Sequence, residues 1–233
     1  MTLLTIVQDA ADLLSIPRPA TVVGSTDQQV RQLYALTNEE GNELASAKDW
    51  QALREQYTFT TVSSPDQTAA VPDDWQRFIA NSFFNRTTRR SVIGPITPQQ
   101  WQAIQAQPQL NRVFLAFIQR HGQFLITPTP EAGETIAYEY VSKNWAKTAD
   151  GDPIPRFLAD DDTTYLDEGI ITLGLRWRFL KSKGLDYSED FRTYQSQRNQ
   201  VMAWDGGNGM ISTTGDGQFL LSPNLPVGGF PGP

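Results

Sequence analysis

Apolar residues recur at helical spacing over 2–15, where Leu3, Ile6, Val7, Ala10, Leu13 and Leu14 share a face until Pro17 and Pro19 stop the run. After the loop PRPATVVG, Ser25 stands three residues before Gln28, the spacing of a capping box. Val30, Leu33, Thr37, Gly41 and Leu44 trace one stripe of a second helix to Ala47, and Trp50 and Leu53 sit on a further short helical turn. A glycine in a helix interior costs up to about 1 kcal/mol, so Gly41 is expected at a close helix–helix contact.

At Tyr57 the pattern changes from helical to alternating. TFTTV is Thr-rich and strand-like, SSPDQ is a turn, and strands are expected near 56–62, 76–84, 88–93, 112–119, 123–127 and 134–141. His121-Gly122 makes the tight connection of one hairpin, and PTPEAG is expected to make the next. Thr97 as cap, Pro98 at the first helical position and Gln100 open a short helix that Pro108 ends. Helical spacing returns with Leu166, Ile170, Leu173, Trp177 and Leu180; Asp160, Asp161 and Asp162 are expected to cap this helix, with Lys181, Lys183 and Gly184 at its far end. Asp186 and Glu189 form another box, opening a helix with Tyr187, Phe191, Tyr194, Val201 and Met202 on its apolar side.

The order predicts an α+β fold: a helical bundle from the N- and C-terminal helices (1–55 and 160–205), with an inserted antiparallel β-rich domain (56–159). An extended C-terminal arm (206–233) follows. After Arg198 no positive charge remains, and the end of the chain is dense in Gly and Pro yet punctuated by large apolar residues. Extended, it reaches roughly 90 Å. Such a segment is expected to dock on another subunit, with Met210, Ile211, Phe219, Leu220, Leu225 and Phe230 as the candidate anchors.

Composition narrows the chemistry. The formal net charge is −7 and the pI about 4.7, a poor basis for wrapping nucleic acid. Without cysteine, disulfides, thiolate zinc sites and iron–sulfur clusters are excluded, and His121 is the sole histidine, sited in a turn. The opening segment, with Asp9 and Asp12, does not read as a secretory leader. The one dense basic run is NRTTRR, whose Arg86, Arg89 and Arg90 are either a solvated turn or a contact for an acidic neighbour or DNA phosphate. The Gly-rich stretch 206–209 lacks the residues of a nucleotide loop, and no cofactor is expected. Glycoside hydrolysis needs only two carboxylates, leaving Glu131, Glu134 and Glu139 as candidates for a cell-wall or polysaccharide hydrolase. Trp101, Trp145, Trp177 and Trp204 are scattered over different elements, which favours packing over a sugar-binding stripe.

Several blocks, in this order, resemble the head-to-tail connector or adaptor proteins (tail accessory factors) of tailed bacteriophages. They are STDQQVRQL, PDDWQRFIANSFFNRTTRR, IAYEYVSKNW and LADDDTTYLDEGIITLGLRWRFLKSKGLDYSEDFRTY, within 1–205. The resemblance implies a non-enzymatic virion protein, made in the host cytoplasm and placed at the head–tail junction. It implies a homo-oligomeric ring of twelve copies bound to the portal above and a tail protein below (nozzle or hub), with genomic DNA passing through without sequence-specific binding. No membrane is implied. A tail-completion or hub protein is the related alternative.

Overall fold

The computed structural model describes residues 1–106 and 114–206. Its helices are α1 (Leu3–Leu13), α2 (Gln28–Ala47), α3 (Pro98–Ala106), α4 (Glu168–Ser182) and α5 (Ser188–Asp205), with a 3-10 turn at Gln51–Leu53. The strands are β1 (Arg54–Thr60), β2 (Asp66–Gln67), β3 (Trp75–Phe78), β4 (Phe84–Asn85), β5 (Arg90–Ser91), β6 (Ala116–Arg120) and β7 (Gln123–Thr127). There follow β8 (Thr135–Ser142), β9 (Ala146–Lys147), β10 (Pro153–Ile154) and β11 (Thr163–Thr164). The fold is α+β with antiparallel sheets.

α4 is the hub of the helices, packing on α1, α2 and α5. The Met1 amino group meets the Glu168 carboxylate, so α1 starts beside the start of α4. Gln32 Nε2 donates to Ser182 Oγ at 2.7 Å, which sets α2 antiparallel to α4. Trp177 lies against Tyr187, Phe191 and Tyr194, and α5 turns back along α4. The shared core takes in Leu3, Ile6, Leu33, Leu44, Ile171 and Leu175, and also Val141, Trp145, Ala146 and Phe157.

β8 is the spine of the five-stranded sheet. β1 covers one edge along its whole length, while β3 and β4 share the other, with β5 outside β4. A second sheet runs β2-β7-β6, and a third, β10-β9-β11. Between the five-stranded sheet and β2-β7-β6 lies an aromatic core of Phe59, Phe83, Phe117, Phe124, Tyr138 and Tyr140, in which Phe83 and Tyr138 stack at 4.4 Å.

The structure corrects several local expectations. PTPEAG does not close a hairpin: it carries the chain from β7 in one sheet to β8 in another, because both edges of β8 are taken by other strands. The expected strands at 76–84 and 88–93 shrink to β3, β4 and β5, broken by positive φ at Asn81 (62°) and Arg89 (57°). The cap of α2 is Asp27, whose Oδ1 accepts from Gln29 N–H at 2.7 Å; Ser25 Oγ only accepts from Asp27 N–H. Asp186 accepts from Ser188 N–H and Oγ–H, while Glu189 bonds Arg192 rather than closing a box.

The Asp160–Asp162 triplet is not the cap of α4 either; Asp167 is, accepting from Ile170 N–H at 2.9 Å. Asp160 instead accepts from Val22 and Val23 N–H, and Asp162 from Leu158 and Ala159 N–H. Their backbone carbonyls accept from Leu4 and Leu3 N–H at the start of α1. Asp160 and Asp162 thus tie their own loop to the Val22–Val23 loop and to the start of α1 by satisfying amides that no helix or sheet ladder pairs.

Gly41 marks a close contact, but with Trp145 after β8 rather than with a helix. The tight helix–helix approach belongs to Gly174 on α4, where an added Cβ would stand 2.3 Å from Glu40 Cδ. The capping box at Thr97 and Gln100 is present in both directions, at 2.9 and 3.2 Å. His121 and Gly122 turn the β6–β7 hairpin with φ of 50° and 73°.

Candidate interaction surfaces

The basic run forms the turn between β4 and β5. Buried Asn85 shapes it: its Oδ1 accepts from Thr87 and Thr88 N–H, each at 3.0 Å, and its amide donates to Glu134 Oε2 at 2.7 Å. Thr87 Oγ1 accepts from Thr135 N–H and fixes the turn to β8. Arg86, Arg89 and Arg90 are therefore carried, exposed, on a braced scaffold. Arg86 shares a hollow of about 420 Å³ with Gln56, Ser82 and Glu139. Arg90 shares another, of about 240 Å³, with Glu131, Glu134 and Pro128. Guanidinium groups flanked by carboxylates suit a protein surface of mixed charge as well as a phosphate.

The three glutamates singled out in the sequence thus divide between two hollows. A different carboxylate pair is brought together: the Tyr140 hydroxyl stands 3.0 Å from both Glu55 Oε2 and Asp74 Oδ1. Ser142 Oγ donates to Asp74 Oδ2 at 2.6 Å. Burial, then hydrogen bonding to Asp74 and Glu55, pushes the tyrosine's ionisation upward, so this hydroxyl is held as a donor. The group fastens β8 to the start of β1 and to the turn before β3.

Large apolar side chains are exposed at both ends of the bundle. Leu13 (52% exposed) and Leu185 (56%) lie at the end where α4 finishes; Trp204 (71%), near the end of α5, lies at the other. Trp101, Trp145 and Trp177 are buried, as packing requires. The arm residues Met210, Ile211, Phe219, Leu220, Leu225 and Phe230 lie outside the described residues, as do Pro108 and the start of the strand expected at 112–119. Among the described residues no group of His, Asp and Glu is arranged to hold a metal ion, and no helix is long and apolar enough to cross a membrane.

One ionic cluster escaped the sequence reading. Arg178 of α4 is buried and reaches three carboxylates of α2: Nε to Glu40 Oε2 at 2.6 Å, Nη1 to Glu39 Oε1 at 3.0 Å, and Nη2 to Glu43. Burial raises the Glu40 carboxyl above its ordinary value of 4.5, opposed by Tyr194 and Arg178. The folded state thus holds the Glu40 proton more tightly than the unfolded chain. Stability from this group is fully present below 4.5 and falls as pH rises through the raised value. Glu40→Gln, which mimics the protonated carboxyl, should match the unaltered protein near pH 4 and become the more stable of the two towards pH 8. Urea melts across that range check this; a gap that widens the other way refutes it.

The chain belongs to the SU10 adaptor protein family, which matches residues 1–223. It is accordingly a phage structural adaptor and a component of the virion. No curated protein matches the chain.

Proposed function

We propose that the protein is the head-to-tail adaptor of a tailed phage, closing into a ring beneath the portal that extends the DNA channel and presents a docking face to the next tail protein. The observation that carries this reading is the adaptor-family match over residues 1–223 of 233. The surface agrees with it. A closed ring needs two different patches per copy, related by rotation, and the two bundle ends and the braced sheet supply distinct faces. In this reading 1–55 and 160–205 form the ring wall and 56–159 the variable face. Arg86, Arg89 and Arg90 meet an acidic tail neighbour, and the arm anchors Met210, Ile211, Phe219, Leu220, Leu225 and Phe230 lie along the portal. Net acidity lets DNA slide past without being gripped.

Electron microscopy of the protein mixed with portal rings should show a second, coaxial ring, with twelve copies expected. A chain ending at Gly206 should stay folded and lose portal binding. Portal binding unchanged by that truncation removes the arm's role. A full chain that ignores portal but binds a tail component is a hub or tail-completion protein. Clearing of cell wall in a zymogram, abolished by one Glu→Gln change, would replace the structural reading with a hydrolase.

A further inference from the structure

The outer edge of β1 is bare among the described residues. Thr61 N–H donates to Glu134 C=O, and Ile79 N–H on the far side of β8 donates to Glu139 C=O. With the register Tyr57↔Tyr138 and Phe59↔Ile136, Glu55, Tyr57 and Phe59 turn their N–H and C=O groups towards β8. Gln56, Thr58 and Thr60 turn theirs away, and no described residue bonds them. This edge is seven residues long, and beyond Arg54 and Glu55 it has no charge, Pro, Gly or bulge, the devices that normally keep such an edge from pairing. Its outward side chains, Gln56, Thr58 and Thr60, are neutral and exposed.

The described chain ends beside it. Asp205 is held at the 3-10 turn that leads into β1: its carboxylate accepts from Gln51 N–H at 3.2 Å, and its carbonyl accepts from the Gln51 side-chain amide. Lys48 Nζ bonds Met202 C=O and pairs with Asp205 at 3.5 Å, neutralising the negative end of α5. The two clamps hold Asp205, and with it Gly206, at the 3-10 turn that leads into β1. From Gly206, four residues span up to about 14 Å and lead to Met210-Ile211-Ser212-Thr213-Thr214. This run is rich in β-branched residues and bounded by Gly209 and Gly215.

We propose that β1 is the docking edge for the chain's own residues 210–214, which add to the five-stranded sheet as a parallel outer strand. Both segments set out from the same end, so the added strand runs parallel, and Thr and Ser from the two strands become neighbours. Tethering through Gly206 supplies a high local concentration of the strand. On this proposal Met210 and Ile211 leave the set of portal anchors given above, and Phe219, Leu220, Leu225 and Phe230 remain for the portal.

Residue-resolved hydrogen exchange on the free protein, without portal, tests this independently of the adaptor reading. In the full chain the amides of Gln56, Thr58 and Thr60 should exchange at least about tenfold more slowly than in a chain ending at Gly206. Glu55, Tyr57 and Phe59, held by β8, should be equally slow in both. The full chain carrying Ile211→Pro with Ser212→Pro should behave as the truncated one, because one of two consecutive N–H groups must face β1. Equal, fast exchange of the three outward amides in both chains overturns the proposal. So does protection that survives truncation, which would mean that a second copy covers the edge.

Discussion

Replacing Arg178 with methionine should lower the unfolding free energy by about 3–5 kcal/mol, the usual cost of stripping one partner from a buried ion pair. Arg178 holds α4 to α2 through Glu39, Glu40 and Glu43, and of these Glu40 is fully buried. Left without the guanidinium, Glu40 has two courses. It stays charged in an apolar site, or it takes up a proton at neutral pH. For a carboxyl of ordinary value 4.5, the second course costs about 3.4 kcal/mol at pH 7, which caps the electrostatic part of the loss. Loss of the guanidinium's contact with the Trp177 ring, whose centroid lies 4.7 Å from Cζ, adds to it. Two further outcomes follow. The deficit should shrink as pH falls towards 4.5, and Glu40→Gln combined with Arg178→Met should recover a large part of it. Chemical denaturation of the four proteins at pH 5 and pH 7 measures all of this, and a deficit independent of pH and of residue 40 would show that only packing was lost.

That cluster was half visible in the sequence. Val30, Leu33, Thr37, Gly41 and Leu44 define the buried stripe of α2, and Glu40 falls within it, four residues before Leu44 and three after Thr37. A carboxylate on a buried stripe calls for a cation, and the signal was there to use. Its partner was not visible, because periodicity places residues on faces and does not pair faces across the chain. The same limit explains the other differences. His121-Gly122 was legible because a tight turn needs two adjacent residues of positive φ, a local demand. PTPEAG was equally rich in turn residues, yet turn chemistry does not say whether the next strand joins the same sheet. Asp160 and Asp162 satisfy free amides as a helix cap would, but those amides lie in their own loop and, more than a hundred residues upstream, at Val22–Val23 and the start of α1. Of the surfaces, the basic turn could be read directly from NRTTRR. The bare edge of β1 could not, since being an edge is a property of the whole sheet.

Gly41 shows how such a long-range partner reverses a local rule, and Gly41→Ala should destabilise the protein by about 1–3 kcal/mol, the range for overpacking a filled core. In an isolated helix the same change gains up to about 1 kcal/mol. Here an added Cβ would stand 2.2 Å from Trp145 Cη2, 2.4 Å from Cζ2 and 2.5 Å from Cζ3, so the indole has to move. It is poorly placed to do so. Trp145 is buried, its Nε1 donates to Asn42 Oδ1 at 2.8 Å, and its ring meets Phe157 edge-on at 4.9 Å. A shift that clears the methyl strains that hydrogen bond and disturbs the place where the segment after β8 is pinned to α2. A smaller ring at 145 should relieve the clash, so Trp145→Phe ought to cost less in the Gly41→Ala background than in the unaltered protein. Thermal or urea melts of the two single variants and the double variant give the coupling directly. A stabilising Gly41→Ala would mean that the helix propensity outweighs the contact and that Trp145 has room to yield.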